Sequence, residues 1–181
     1  MVLSRAVVFA ALALALAACN QPSAEAPAAQ ESAAAAGETA PTASAALWNN
    51  GEAKPLDIQV AHPSGAVLQL TSLQSRATDT AIGLRIINGR DRDIDLNRFP
   101  NNRNSYLLLE TGERLYLSPP ASNPRLSIPA GQTFEGELVF LGRLENVNAA
   151  VLVLNENHSV DSEHTTTPGF RIDLPLAGAA R

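Results

Sequence analysis

The sequence predicts an all-β domain, an antiparallel sandwich of about seven to nine strands, and three observations carry that reading. Apolar residues beyond position 46 recur with a period of two, the period of a half-buried strand, and not with the 3.6 period of a helix. Gly and Pro turn signals separate these short runs at intervals of about 8–12 residues. No stretch in this part of the chain offers an amphipathic helix of ten or more residues.

The strands are taken in chain order. Leu68-Gln69-Leu70-Thr71 alternates, and so does Ile82-Gly83-Leu84-Arg85-Ile86, with Arg85 on the face opposite the apolar residues. Ile94-Asp95-Leu96 alternates again. Tyr106 to Glu110, Thr111-Gly112 and Arg114 to Leu117 read as a hairpin around a Gly-containing turn. Leu126 and Ile128 lead into the turn signal Pro129-Ala130-Gly131-Gln132. Thr133 to Leu141 places Phe134, Gly136, Leu138 and Phe140 on one face. Val151-Leu152-Val153-Leu154 is a continuous apolar run, as an inner strand would be. Phe170, Ile172 and Leu174 alternate with Arg171 and Asp173 before Pro175. Two packed sheets would bury the alternating faces against each other. Trp48 precedes these runs, so packing is expected to rest on Leu, Ile, Val and four Phe, without Trp48.

The rest of the chain has another composition. Of 31 Ala residues in 181, 19 fall in the first 46 positions. Met1 to Arg5 carries one positive charge, and Ala6 to Ala18 is an uninterrupted apolar run. Thirteen residues are too few to cross a bilayer core, which takes about 20 in a helix. A basic start, an apolar run and small residues at its end make an export signal. Leu16-Ala17-Ala18-Cys19 resembles the lipobox of bacterial lipoproteins. That resemblance implies cleavage after Ala18, so that residues 1–18 are a signal peptide, and lipidation of Cys19. Lipid chains on Cys19 would anchor the chain to a membrane. The residue after the cysteine is Asn20 and not Asp. The resemblance then implies the periplasmic face of the outer membrane in a Gram-negative cell. Asn20 to Ala46 holds 12 Ala and 3 Pro and no Leu, Ile, Val or aromatic residue. Such a segment has nothing to bury against the entropy of ordering, so residues 19–46 are expected to form a lipidated, disordered linker. Its coil dimension is roughly 30 Å. Residues 47–181 remain for the β domain, enough for one core.

The domain resembles the immunoglobulin-like extracytoplasmic domain of uncharacterised bacterial lipoproteins. The resemblance rests on Leu68 to Leu73, Ile82 to Asn88, the hairpin Tyr106 to Gly112, and Ile128-Pro129-Ala130-Gly131-Gln132 running into Thr133 to Phe140. It covers about residues 56 to 176 and implies an immunoglobulin-like sandwich. It brings no catalytic residues.

Composition narrows the function. With 13 basic against 18 acidic residues there is no basic excess for nucleic acid. One Cys leaves no internal disulfide and no multi-Cys metal cluster. There is no Gly-x-Ser-x-Gly elbow, no His-Glu-x-x-His and no phosphate loop. Asn88 to Ser105 is rich in Asn and Arg. Its Arg90, Arg92, Arg98, Phe99 and Arg103 form a candidate partner-binding set, because Arg and aromatics concentrate at binding hot spots. His158, Asp161, Glu163 and His164 bring imidazoles and carboxylates together and could hold zinc or copper, although their spacing fits no zinc signature. Asp91, Asp93, Asp95 and Asn97 occupy alternate positions like the start of a calcium loop. Leu96 stands where that loop needs Gly. A strand with Ile94 and Leu96 inward and carboxylates outward, balanced by Arg90 and Arg92, is the better reading.

The expectation is therefore a non-catalytic, membrane-anchored lipoprotein whose partner is an envelope protein or polymer. It needs no cofactor. The alternative is a metal- or small-ligand-binding extracytoplasmic module, and the remote alternative is a hydrolase.

Overall fold

The computed structural model describes residues 46–156 and 162–177. The signal, the lipobox Leu16-Ala17-Ala18-Cys19 and the linker lie outside the described residues, as do His158 and Asp161.

Among the described residues the fold is all-β and antiparallel, in three sheets. β1 (Lys54–Ala61), β2 (Ala66–Ser75) and β3 (Asp79–Asn88) form a meander, and β8 (Thr133–Leu141) completes the first sheet in the order β1-β2-β3-β8. β5 (Tyr106–Leu109), β6 (Arg114–Tyr116), β9 (Ala149–Leu154) and β10 (Phe170–Pro175) form the second in the order β10-β9-β5-β6. β4 (Ile94–Asp95) and β7 (Ser127–Ile128) pair as a short third sheet. The ten strands among the described residues exceed the expected seven to nine. The addition at the N-terminus is β1, whose Leu56, Ile58 and Val60 alternate but which begins at Lys54-Pro55. An edge strand tolerates that Pro near its start, and β1 is an edge strand.

One hydrophobic cluster draws on both large sheets. Leu68, Leu70, Ile82, Leu84, Leu138 and Phe140 of the first sheet share it with Leu107, Leu109, Leu115, Leu152, Leu154, Ile172 and Leu174 of the second. The register of β2 on β3 shifts between Leu70 and Ser72, and this bulge returns Leu73 to the inner face. Full burial of each such side chain stabilises by about 1.5–3 kcal/mol. The sheets also join along one side, where Leu117 bridges Phe140 and the Ser118 N–H donates to the Val139 carbonyl at 2.7 Å.

The structure corrects the expectation for Trp48, which is only 1% exposed and belongs to the core. Trp48–Gly51 is a tight turn in which Asn49 and Asn50 take left-handed backbone conformations. The Trp48 N–H donates to the Leu144 carbonyl at 2.9 Å, and its indole Nε1 donates to the Leu176 carbonyl at 3.4 Å. Ser75 Oγ donates to the same Leu144 carbonyl at 2.7 Å. The indole thus plugs the end of the core where the described chain begins. Contacts this distant in sequence are invisible to local alternation.

β3 runs from this end to the other. Thr80, near its start, donates to the Gly142 carbonyl, and Asn88, at its finish, meets the loops around β4 and β7. A ten-residue strand spans about 30 Å, so Trp48 and the β4–β7 loops mark opposite ends of the domain.

Candidate functional site

The β4–β7 end is built from irregular segments, and buried asparagines hold them together. Asn88 is fully buried. Its Nδ2 donates to the carbonyls of Arg92, Ile128 and Pro129 at 2.9, 3.0 and 3.0 Å, and its Oδ1 accepts from the Arg90 N–H at 3.1 Å. Asn97, also buried, donates from Nδ2 to the Pro124 carbonyl at 2.8 Å. Asn155 sits in a left-handed conformation, which Asn tolerates better than most residues. Its Nδ2 reaches the carbonyls of Asp95 and Pro168, each at 3.0 Å.

Backbone bonds extend the β4–β7 pairing. Leu96 N donates to the Leu126 carbonyl at 3.2 Å and Asn97 N to that of Arg125 at 2.9 Å. On the other side of β4, Asp95 N donates to the Thr166 carbonyl at 2.8 Å, and Arg90 donates a guanidinium N–H to the Thr165 carbonyl at 2.6 Å. The segment Thr165–Pro168 is thereby strapped across the end of the domain.

These three segments wall a cavity of about 330 Å³. Asp95 and Asn97 come from β4 and its continuation, Arg125 from the approach to β7, and Thr166 and Thr167 from the strap. Arg98 and Phe99 stand at the same cavity, and Phe99 is 48% exposed. Arg125 lies 3.7 Å from Asp95, an ion-pair distance too long for a hydrogen bond.

The partner-binding set therefore divides. Arg98 and Phe99 share the cavity, whereas Arg90 bolts the strap and Arg92 is exposed beside Asp91 at 3.5 Å. Arg103 belongs elsewhere, with its guanidinium carbon 5.7 Å from the Tyr116 ring. Tyr116 meets Tyr106 edge to face at 6.1 Å, and Arg114 lies over Tyr106 at 4.3 Å. Tyr106 donates its hydroxyl proton to Glu156 at 2.6 Å. Burial, then the Glu156 hydrogen bond and charge, raise the Tyr106 phenol above its ordinary pKa, while Arg114 and Arg171 oppose the rise.

The alternate acidic residues go separate ways. Asp93 Oδ1 accepts from the Ala130 N–H at 3.0 Å and Asp95 pairs with Arg125. Ile94 and Leu96 are buried as expected, but Asn97 is buried with them, and Arg90 spends its guanidinium on the strap. Glu163 and His164 are neighbours 3.4 Å apart, with side chains 73% and 84% exposed. Among the described residues no three His, Cys, Asp or Glu side chains gather to hold a metal. Among those residues, too, no helix is long and apolar enough to cross a membrane.

Arg125, Thr166 and Thr167 were not singled out in the sequence. Nothing in their local sequence marks them, and pairing across the domain is what brings them to one cavity.

No family model matches the chain, and no curated protein matches it. Among solved structures, a functionally unknown protein from Listeria monocytogenes EGD-e is similar at 13% identity over 72% of this chain and 89% of that one, with a TM-score of 0.44.

Proposed function

We propose that the chain is a membrane-anchored, non-catalytic lipoprotein whose immunoglobulin-like sandwich docks an envelope protein or polymer. The strand order supports the sandwich: β2-β3-β8 follows the A-B-E order of that fold, and β10-β9-β5-β6 follows G-F-C-C′. β1 is then an added outer strand. The lipobox Leu16 to Cys19 supports the anchor.

The observation that carries the reading is the placement of the two ends. Chain from the anchor enters at the Trp48 end, and the loops with Arg98 and Phe99 lie at the opposite end, about 30 Å away. A domain tethered at one end leaves the loops of the other end clear of the tether's attachment. Functional residues commonly sit on loops of rigid β scaffolds in this way.

The test has two arms. Fatty-acid labelling of the full chain in cells should mark the wild type, while Cys19→Ala should remain an unlabelled precursor. A photo-crosslinking residue in place of Phe99 should capture an envelope component, and the same residue in place of Leu141, which is 61% exposed at the opposite end of the first sheet, should not. Label on Cys19→Ala removes the anchor. Equal capture from both positions removes the binding end.

A further inference from the structure

We infer that the outward face of the second sheet docks a second copy of this chain, seated head to tail. Leu107, Leu115, Leu152 and Ile172 point into the core, so their neighbours along each strand point outward. The registers set these neighbours in two rows across β10, β9, β5 and β6. The row nearer the β4–β7 end is Arg171, Val153, Tyr106 and Tyr116. The next is Asp173, Val151, Leu108 and Arg114. The face shares no residue with the lining of the β4–β7 cavity, so the inference stands apart from the binding end.

Charge divides this face by sign along the strands. Arg171 is in the row nearer the β4–β7 end, and Arg103 lies just beyond that row, before β5. Asp173 is in the other row, and Glu110 lies just beyond it, after β5. Arg103, Arg171 and Asp173 form no ion pair among the described residues. Glu110 accepts from the Asn148 backbone N–H and side-chain amide, which are neutral and leave its charge in place. Arg114 and Glu156 lie 3.6 Å apart and offset each other. The outward side of the first sheet is unlike this one. There Arg85 pairs with Glu135 at 3.1 Å and Arg76 with Glu137 at 3.0 Å, within one copy.

A face positive at one end and negative at the other complements itself when one copy is inverted. Two identical surfaces close into a pair about a two-fold axis. An axis across the strands, between the two rows, sets Arg171 against Asp173 of the second copy, and Asp173 against its Arg171. It also brings Arg103 toward Glu110 of the second copy. Val153 then meets Val151, beside an apolar hollow of about 170 Å³ lined by half-buried Leu108 and Val151. An axis along the strands would instead carry Arg171 to Tyr116 and Arg103 of the second copy, cation against cation. Charge therefore selects the head-to-tail pair. Four strands of three to six residues, about 4.8 Å apart, present roughly 300 Å² of sheet per copy. An interface of that size is a weak, reversible one.

The test is sedimentation equilibrium of the full chain in a density-matched detergent, over a concentration series at low salt. A monomer–dimer equilibrium with a dissociation constant between about 10 µM and about 1 mM should appear. Arg171→Asp and Asp173→Arg should each weaken it about fivefold or more, because each sets like charges opposite one another at two places. The double variant carrying both changes should return to within about twofold of wild type, since the exchanged charges still meet. Arg85→Gln on the first sheet should leave the equilibrium unchanged. All of these side chains are exposed, so the melting temperature should stay near wild type in every variant. A chain that stays monomeric to about 1 mM overturns the inference. So does a dimer indifferent to both single reversals, or one weakened by Arg85→Gln. A double variant as weak as the single ones overturns the head-to-tail arrangement, because only that arrangement sets Arg171 against Asp173.

Discussion

Asn88→Ala should unfold the β4–β7 end and cost the domain about 3 kcal/mol. The Asn88 side chain accepts one hydrogen bond from Arg90 N and offers two N–H groups to three carbonyls. Two donated bonds and one accepted bond make three, each contributing about 1 kcal/mol net in a buried setting. The site is fully buried, so water cannot easily replace them. With a urea dependence of about 2 kcal/mol per molar, the midpoint should fall by about 1.5 M. The melting temperature should fall by about 10 °C. Urea titration of the full chain, followed by far-ultraviolet dichroism, reads the first number directly.

Asn88→Asp separates hydrogen bonding from packing, because it keeps the shape and loses the donors. A carboxylate there faces three carbonyl oxygens, so its folded pKa is raised above the ordinary carboxylate range. The folded state then holds the proton more tightly than the unfolded state. Stability of this variant should therefore rise as pH falls through the raised value, and decline as pH rises through it. A loss of less than about 1 kcal/mol in Asn88→Ala, or an Asn88→Asp variant as stable as wild type at neutral pH, would refute the account of Asn88 as the tie between β3, β4 and β7.

Three further outcomes follow from the same contacts. Trp48→Ala should cost about 3–5 kcal/mol, the usual range for emptying a buried aromatic site, and Trp48→Phe should recover most of it in chemical denaturation; a loss under about 1 kcal/mol would place Trp48 outside the core. Arg90→Met removes the 2.6 Å bond to the Thr165 carbonyl, so hydrogen exchange at the Asp95 amide should speed up about tenfold while exchange at Leu84 holds; equal rates would mean the strap stands without Arg90. Because the Tyr106 phenol is raised above its unfolded value, its stabilising contribution is intact below the ordinary tyrosine pKa and is lost as pH climbs through the folded value. Glu156→Gln should bring phenolate absorbance in at lower pH than in wild type yet still above the ordinary value, since burial remains; an unchanged titration would exclude coupling to Glu156.

The regular part of this fold was legible because its signals are local. Alternation in β2, β3, β8 and β10 placed Leu68, Ile82, Leu138 and Ile172 on inner faces, and all four are buried. Gly112 and Gly131 marked turns where the backbone does take the left-handed conformation that Gly permits. The ends were not legible, because they depend on contacts with no period. Arg90 meets a carbonyl 75 residues away, and Trp48 meets one 128 residues away. Reading Arg90 as a binding residue followed from its charge and its loop, and neither reveals a partner on the strap. The cavity was half legible: Arg98 and Phe99 stood out by type, while Arg125 and Thr166 reach it only through the pairing of β4 with β7 and with the strap.

The two ends solve the same physical problem differently. Where strands stop, carbonyls and N–H groups lose their ladder partners and still need them. At the Trp48 end the large indole covers the core and supplies one donor. At the β4–β7 end, Asn88, Asn97 and Asn155 supply the donors, and each joins segments far apart in sequence. An asparagine amide suits this work because it donates twice from one short side chain without bringing a charge into the core. The consequence is a division of labour at the loop end. The three buried asparagines hold the walls, while the side chains of Phe99, Arg125 and Thr166 are exposed. These exposed side chains can then be replaced at small cost in stability, about 0.5 kcal/mol or less each. The asparagines cannot, since replacing one leaves buried backbone groups unpaired. A frame that is stable without ligand contacts is what the binding end proposed here requires.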